Sequence, residues 1–528
     1  ELKAGNTTRG HKLLSPNRLT VKPAAGDKSF RAYKSFLKKN KVILSGDERK
    51  RIILSQTAKK LAPYKAKLYA DQELLETLAD DVEYPCVFLG EFPKEYLSLP
   101  IEVLSVAMRE GQKLFSVVKD GQQLPKFVGV ADTMKDVKSL IRKGNERVLR
   151  ARLQDARFFW EQDLKIPLAR RSEGLRQIVF QEKLGTYEDK RVRLKELVAY
   201  FCDQMEEKEV KKDAVQAAEL CKVDLLTEMV REFPSLQGRV GGLYAKAEGY
   251  PSGVWRAIYE HYQPLSPEDA SPGTLGGAIL SIADKLDGIV GVIGIGVQVT
   301  GSSDPFGLRR NANGICKTIL DRKLDFRFNQ LVDRVIRSYG DVLKARLTDL
   351  EIVSYVQSFF EQRLRFIYEA QGYRYDLVNA ALGAGLENIY RTYLRLKALD
   401  SLQKSPDFEP FILMAKRVNN ILRDRPPCEV NSDLFAEKEE RELYSTFLIV
   451  RDNVMAMIIA GDFRRAQSMV FRLQAPLTAF FDRVLVMTED KKAMQNRLGL
   501  LQAISGLLLH LADYSRVVVE GEKKEKPA

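Results

Sequence analysis

Thr300-Gly301-Ser302-Ser303-Asp304-Pro305-Phe306-Gly307-Leu308-Arg309-Arg310 reads as a polar turn running into a helix. Asp304 has the side chain of an N-cap, Pro305 has the fixed φ of a first helical residue, and two arginines follow one turn later. From this point to residue 519 helical periods repeat with almost no strand signal, broken near residues 424–431 and at Gly461-Asp462. An all-helical C-terminal half follows, and with it a mainly α, multi-domain fold. The tail 520–528 alternates charges, ends in Pro-Ala and is expected to be disordered.

Working back towards the N-terminus, residues 289–299 form the most apolar run, which is too short to span a bilayer and reads as a core element. Its glycines Gly291, Gly294 and Gly296 lack the G-x-G-x-x-G order, so close packing at a helix end explains them better than a nucleotide. Residues 264–274 are a loop, and residues 185–262 read as helices broken at Pro234, at 238–242 and at 249–252. The period from 134 to 184 is helical and projects Arg147 and Arg150 along adjoining turns. The first third mixes types. Residues 30–42, 47–61 and 71–82 have the spacing of amphipathic helices, while 115–118 and 127–130 are β-prone runs beside the turn residues Lys119, Asp120 and Gly121.

At 528 residues the chain exceeds one hydrophobic core, and its 45% apolar and 29% charged residues are ordinary globular composition. The net charge of +13 favours a polyanionic partner or an anionic surface. Between residues 141 and 197 there are 15 basic and 9 acidic residues, either a phosphate-binding stripe or a solvated helix face. Five scattered cysteines without a CxxC pair are read as thiols in a reducing compartment, and three isolated histidines argue against a zinc site. The chain opens on Glu1, which leaves room for an upstream segment.

Residues 217–225, Ala-Ala-Glu-Leu-Cys-Lys-Val-Asp-Leu, with Ala283-Asp284-Lys285-Leu286-Asp287 downstream, resemble the helical arrangement of HD-type metal phosphohydrolases. Those enzymes gather imidazoles and carboxylates round a metal. Here the His-Asp position reads Lys222-Val223, which suits a phosphate better than a divalent cation, so the reading is an HD-like fold with no metal and no catalytic residues.

Four strings carry a more specific resemblance: the opening one, Glu232-Phe233-Pro234-Ser235-Leu236-Gln237-Gly238, Glu260-His261-Tyr262-Gln263-Pro264 and Ala283 to Asp287. With Gly5-Asn6-Thr7-Thr8-Arg9-Gly10-His11, Gly144-Asn145-Glu146-Arg147-Val148-Leu149, Ala415-Lys416-Arg417-Val418-Asn419-Asn420 and Phe481-Asp482-Arg483-Val484-Leu485-Val486-Met487 in the same order, they closely resemble the β subunit of bacterial-type glycyl-tRNA synthetase over nearly the whole chain. The family's members begin well upstream of the Gly5 to His11 phrase, so an N-terminal portion is expected to be absent.

The resemblance implies a tRNA-binding subunit of an α2β2 ligase, in which the α subunit makes glycyl-adenylate from ATP with Mg and this chain captures tRNA-Gly. No adenylation motif is present in the sequence, no cofactor is expected on this chain, and no membrane partner is implied. The implied location is the bacterial cytoplasm, with an organelle also open. The expected domains are a mixed α/β tRNA-binding and inter-subunit region over 1–184, the HD-like domain over 185–328, and a helical linker with an anticodon-binding domain over 329–519. Acceptor-side candidates are Lys222, Lys285, Arg309 and Arg310, with Arg147, Arg150 and Arg152. Anticodon-side candidates are Lys416, Arg417, Asn420, Arg472 and Arg497, because unpaired loops are read by stacking and by polar contacts to base edges. Asp224, Asp284 and Asp304 are expected to orient cations or cap helices. Two other readings stay open: an RNA-binding protein derived from such a subunit, and a metal-dependent HD-type phosphohydrolase.

Overall fold

Asp120 and Gly121 both take left-handed backbone conformations, with φ of 50° and 81°. Two such residues in succession make the tight turn whose twist matches a β-hairpin, and they join the antiparallel strands Phe115–Lys119 and Gln122–Asp132. In the computed structural model, which describes residues 5–22, 28–297, 304, 306–343 and 347–519, the second strand extends well beyond the β-prone run. Its outer edge pairs with Pro85–Glu91, from Pro85 opposite Asp132 to Glu91 opposite Lys126. Lys67–Leu68 completes a four-stranded sheet on the other side of Phe115–Lys119. The helices Gly46–Leu61 and Gln72–Asp81 bury Ile53, Leu61, Leu74 and Leu78 against Val87, Phe115, Val117 and Val128 of this sheet.

The described chain forms two compact units, residues 1–175 with 220–259, and 176–219 with 260–528. In the first, the sheet is followed by the helix Leu140–Asp163, which buries Leu149, Leu153 and Ala156. The helical period expected to run from 134 to 184 begins only at Leu140, because Lys138 and Ser139 are left-handed at φ 54° and 57°. It ends before a short hairpin of Val179–Gln181 and Gly185–Thr186, which belongs to the second unit. Asp163, at the helix end, is 4% exposed and receives hydrogen bonds from the amides of Glu228 (3.1 Å) and Met229 (3.0 Å) and from the hydroxyl of Tyr244 (2.9 Å). The helices Arg239–Ala247 and Ser252–Glu260 close this unit. The expected break over 238–242 narrows to Gly238, at φ 79°, and the helix runs through Gly241 and Gly242.

The second unit is built round Leu275–Gly294, which is buried along nearly its whole length. A Cβ on Gly294 would lie 2.8 Å from Leu343, so the glycines at this helix end serve close packing. Beyond Leu308 every described regular element is helical, through Lys491–Leu509. The chain breaks between Leu422 and Lys438 and at Gly461, where Asp462 caps the next helix through the Arg465 amide. No described helix is long and apolar enough to cross a membrane. The expected disorder of 520–528 concerns residues outside the described ones.

Candidate nucleic-acid interface

Residues 220–225, in the first unit, form a buried structural turn. Asp224 is fully buried, and its Oδ2 accepts a 2.5 Å hydrogen bond from the Gly238 amide. Burial pushes its carboxyl up to about 6, against the opposing pull of the Gly238 amide and the Lys222 charge. Lys222 itself is 1% exposed. A cation at that depth has no surface to offer a phosphate, so the expected acceptor-side contact at Lys222 is corrected to an internal one. The physical reason is that the turn after residue 220 folds the motif inward, where its charge balances Asp224.

In the second unit, Asp284, Lys285 and Asp287 all lie on the buried helix Leu275–Gly294. Lys190 places its ammonium 3.0 Å from Asp284 and 2.9 Å from Asp287, and Arg193 reaches Asp287 at 2.7 Å. Burial raises the Asp287 carboxyl, but the two cations outweigh it and hold the group below its ordinary value. These carboxylates are thus engaged by built-in cations and are not free for a divalent metal. Lys285, 6% exposed, donates to the carbonyls of His261 (3.2 Å) and Gln263 (2.9 Å) and to the Ser281 hydroxyl (2.5 Å). That geometry ties two segments together, and the phosphate role expected of Lys285 is corrected accordingly.

Among the described residues, His11, Glu83 and Asp132 bring three metal-ligand types together. The imidazole is already committed. His11 Nδ1 accepts from the amides of Leu13 and Leu14, each at 3.1 Å, which places its proton on Nε2, facing Asp132 at 2.9 Å. The Nδ1 lone pair is thus already used within the turn.

The opening string caps a helix in a different manner from the expected one. The helix begins at Leu308, and the Asp304 carboxylate accepts from the amides of Leu308 (2.7 Å) and Arg309 (3.0 Å) from four and five residues upstream. Thr300 to Ser303 and Pro305 lie outside the described residues. Arg310 is exposed and Arg309 half-buried. Burial, and then the charge of Arg309, pull the Arg363 guanidinium below its ordinary value. The Asp304 carboxylate opposes that pull.

The helix Leu140–Asp163 turns Arg147 and Arg150 to solvent beside Lys143, with Leu149 and Leu153 buried behind them. Arg152 is half-exposed and lies 3.8 Å from Glu232, which withdraws it from that stripe.

At the C-terminal end, Lys416, Arg417 and Asn420 share the helix Phe408–Leu422. Arg417 and Asn420 are exposed, Lys416 is half-buried, and the Arg417 guanidinium sits 4.3 Å from the ring centre of Phe481. Arg472 is exposed in the turn Phe471–Leu473. Arg497 is buried: its Nε is 2.6 Å from Glu440, and Nη1 donates to the Leu485 carbonyl at 2.9 Å. It pins a loop instead of facing a base, which corrects the expected anticodon contact. Phe481 went unmarked as a site residue in the sequence. Its signal was the phrase Phe481-Asp482-Arg483, in which an aromatic precedes a charged pair.

Residues 1–383 match the family model described as glycyl-tRNA synthetase beta subunit, and residues 412–513 match a DALR anticodon binding domain. A protein of Syntrophus aciditrophicus named glycine–tRNA ligase beta subunit is 37% identical over 522 residues, covering 98% of this chain and 74% of its own length. Proteins of the same name from Desulforudis audaxviator and Halothermothrix orenii are each 38% identical with the same coverage. Arg417, Asn420 and Phe481 all fall inside the anticodon-binding match, and with both models and these relatives in agreement the chain belongs to the glycyl-tRNA synthetase beta subunit family.

Proposed function

We propose that this chain is the tRNA-gripping, non-adenylating subunit of a glycine–tRNA ligase. It holds tRNA-Gly at the anticodon and at the acceptor arm while a separate α subunit, in an α2β2 assembly, forms glycyl-adenylate with ATP and Mg. The chain binds neither ATP nor metal itself, and it works in the bacterial cytoplasm.

The observation that carries this reading is the coincidence of the DALR match with an exposed guanidinium stacked on an aromatic ring. Unpaired RNA is read by such surfaces, because a planar cation and a ring both stack on any base while polar neighbours such as Asn420 contact base edges. Acceptor-side binding falls to the arginines with surface to offer, Arg147, Arg150, Arg309 and Arg310, and excludes the buried Lys222 and Lys285. The test is glycylation of tRNA-Gly by a partner α subunit with and without this chain, alongside tRNA binding by this chain alone. Activity that requires both chains is expected; neither rescue nor binding would overturn the reading.

A further inference from the structure

Helices Arg239–Ala247 and Ser252–Glu260 meet at Gly242, where an added Cβ would lie 2.7 Å from the Trp255 carbonyl oxygen and 2.6 Å from the Tyr259 Cβ. The missing side chain lets the two backbones approach. One turn further along, that approach carries Lys246 onto Trp255, with Nζ 5.1 Å from the ring centre, and Arg256 brings a second cation to 5.3 Å from the same ring. Lys246 and Arg256 are exposed and Trp255 is half-buried. Neither cation has an acidic partner among the described residues.

We propose that Trp255, Lys246 and Arg256 form a stacking site for an unpaired RNA nucleotide, the base against the indole and its flanking phosphates on the two cations. An indole supplies stacking that tolerates any base, and cations without internal counter-ions supply the electrostatic grip, which is the pairing that single-stranded nucleic acid requires. The site rests on the tRNA-binding reading and deepens it. It lies in the first unit, whereas the anticodon-binding match lies in the second. Outside its anticodon loop, the unpaired run a tRNA ends on is its 3′ terminus, and that is the occupant assigned here.

The chain contains two tryptophans, and Trp160 is stacked on Tyr244 at 4.6 Å, so Trp160→Phe leaves Trp255 as the sole indole reporter. The full chain carrying that change is titrated with intact tRNA-Gly, with tRNA-Gly lacking its unpaired 3′ nucleotides, and with an isolated anticodon stem-loop. Only the intact tRNA should change Trp255 emission. Trp255→Leu should weaken intact tRNA binding by about ten-fold and leave the truncated tRNA unaffected, while Trp255→Phe retains binding. Lys246→Glu, at an exposed position that carries the test if Trp255→Leu folds poorly, should weaken intact tRNA and lower the salt slope by about 0.7. Intact tRNA that binds with unchanged emission and unchanged affinity in both variants would overturn the site. An emission change with the stem-loop would overturn the 3′ assignment. Failure of the wild-type chain to bind any tRNA would instead overturn the reading beneath it.

Discussion

Replacing Asp287 by Ala removes the counter-charge of two buried cations at once. Asp287 is 0% exposed, with Oδ1 at 2.7 Å from Arg193 and Oδ2 at 2.9 Å from Lys190. Breaking a buried pair from one side costs about 3–5 kcal/mol, because the remaining charge stays in a low-dielectric site. Lys190 keeps Asp284 at 3.0 Å, which favours the lower end. At roughly 2 °C per kcal/mol for a large domain, the transition of the second unit should fall by about 6 °C. Calorimetry of the full chain reads it, with the unit transitions resolved because a two-unit chain need not melt as one. Lys438→Ala, which breaks the exposed pair to Glu442, serves as the control and should move the transition by under about 1 °C. The pH dependence has a definite sign. The Asp287 carboxyl lies below its ordinary value, so its contribution is complete above about pH 4 and is lost only as pH falls through the lower folded value. The gap between Asp287→Ala and wild type should therefore stay constant from about pH 8 to about pH 5 and close in stronger acid. A shift no larger than that of Lys438→Ala, or a gap that opens as pH falls, would refute the reasoning.

Asp224 gives the opposite pH behaviour. With its folded value raised to about 6, the folded state holds the proton more tightly, so stability should fall by about 3 kcal/mol as pH rises from roughly 4 to 6, and Asp224→Asn should flatten that slope in urea titrations. Arg147→Ala with Arg150→Ala should lower the salt slope of tRNA binding by about 0.7–0.9 per lost phosphate contact; an unchanged slope removes the stripe from the interface. Arg417→Ala and Phe481→Leu should each cost about ten-fold in binding an isolated anticodon stem-loop, with little additional loss when combined, because each removes the same stack. Arg497→Ala should instead lower the thermal midpoint, since it strands the buried Glu440.

The parts of this fold that are local were legible. Lys119-Asp120-Gly121 specified its hairpin because two left-handed residues in succession have few other uses. The C-terminal helices followed from period alone. Pro85–Glu91 carries little strand signal of its own, because a proline and Gly90 interrupt its alternation, and what makes it a strand is a ladder to Gln122–Asp132 about forty residues away. At the surfaces, the sequence gives the sign of a charge but not its depth. Arg417 and Arg497 look alike as letters, yet one stacks in the open on Phe481 and the other is sealed against Glu440. Lys190 and Arg193 look like solvent-facing residues on a highly charged helix. Their partner, Asp287, lies nearly a hundred residues on, and no local pattern announces it.

The carboxylate of Asp163 ties the order of synthesis to the order of folding. Its three hydrogen-bond donors after residue 220 are Glu228, Met229 and Tyr244, and the chain between residues 176 and 219 belongs to the other unit. On the ribosome, this end of the first unit is completed only when the chain has reached residue 259. At roughly 5–20 residues per second, the 84 residues from 176 to 259 take about 4–17 s. Throughout that interval the Asp163 carboxylate has Arg171, 3.3 Å away within the same segment, as its partner, and the amides of Glu228 and Met229 join only afterwards.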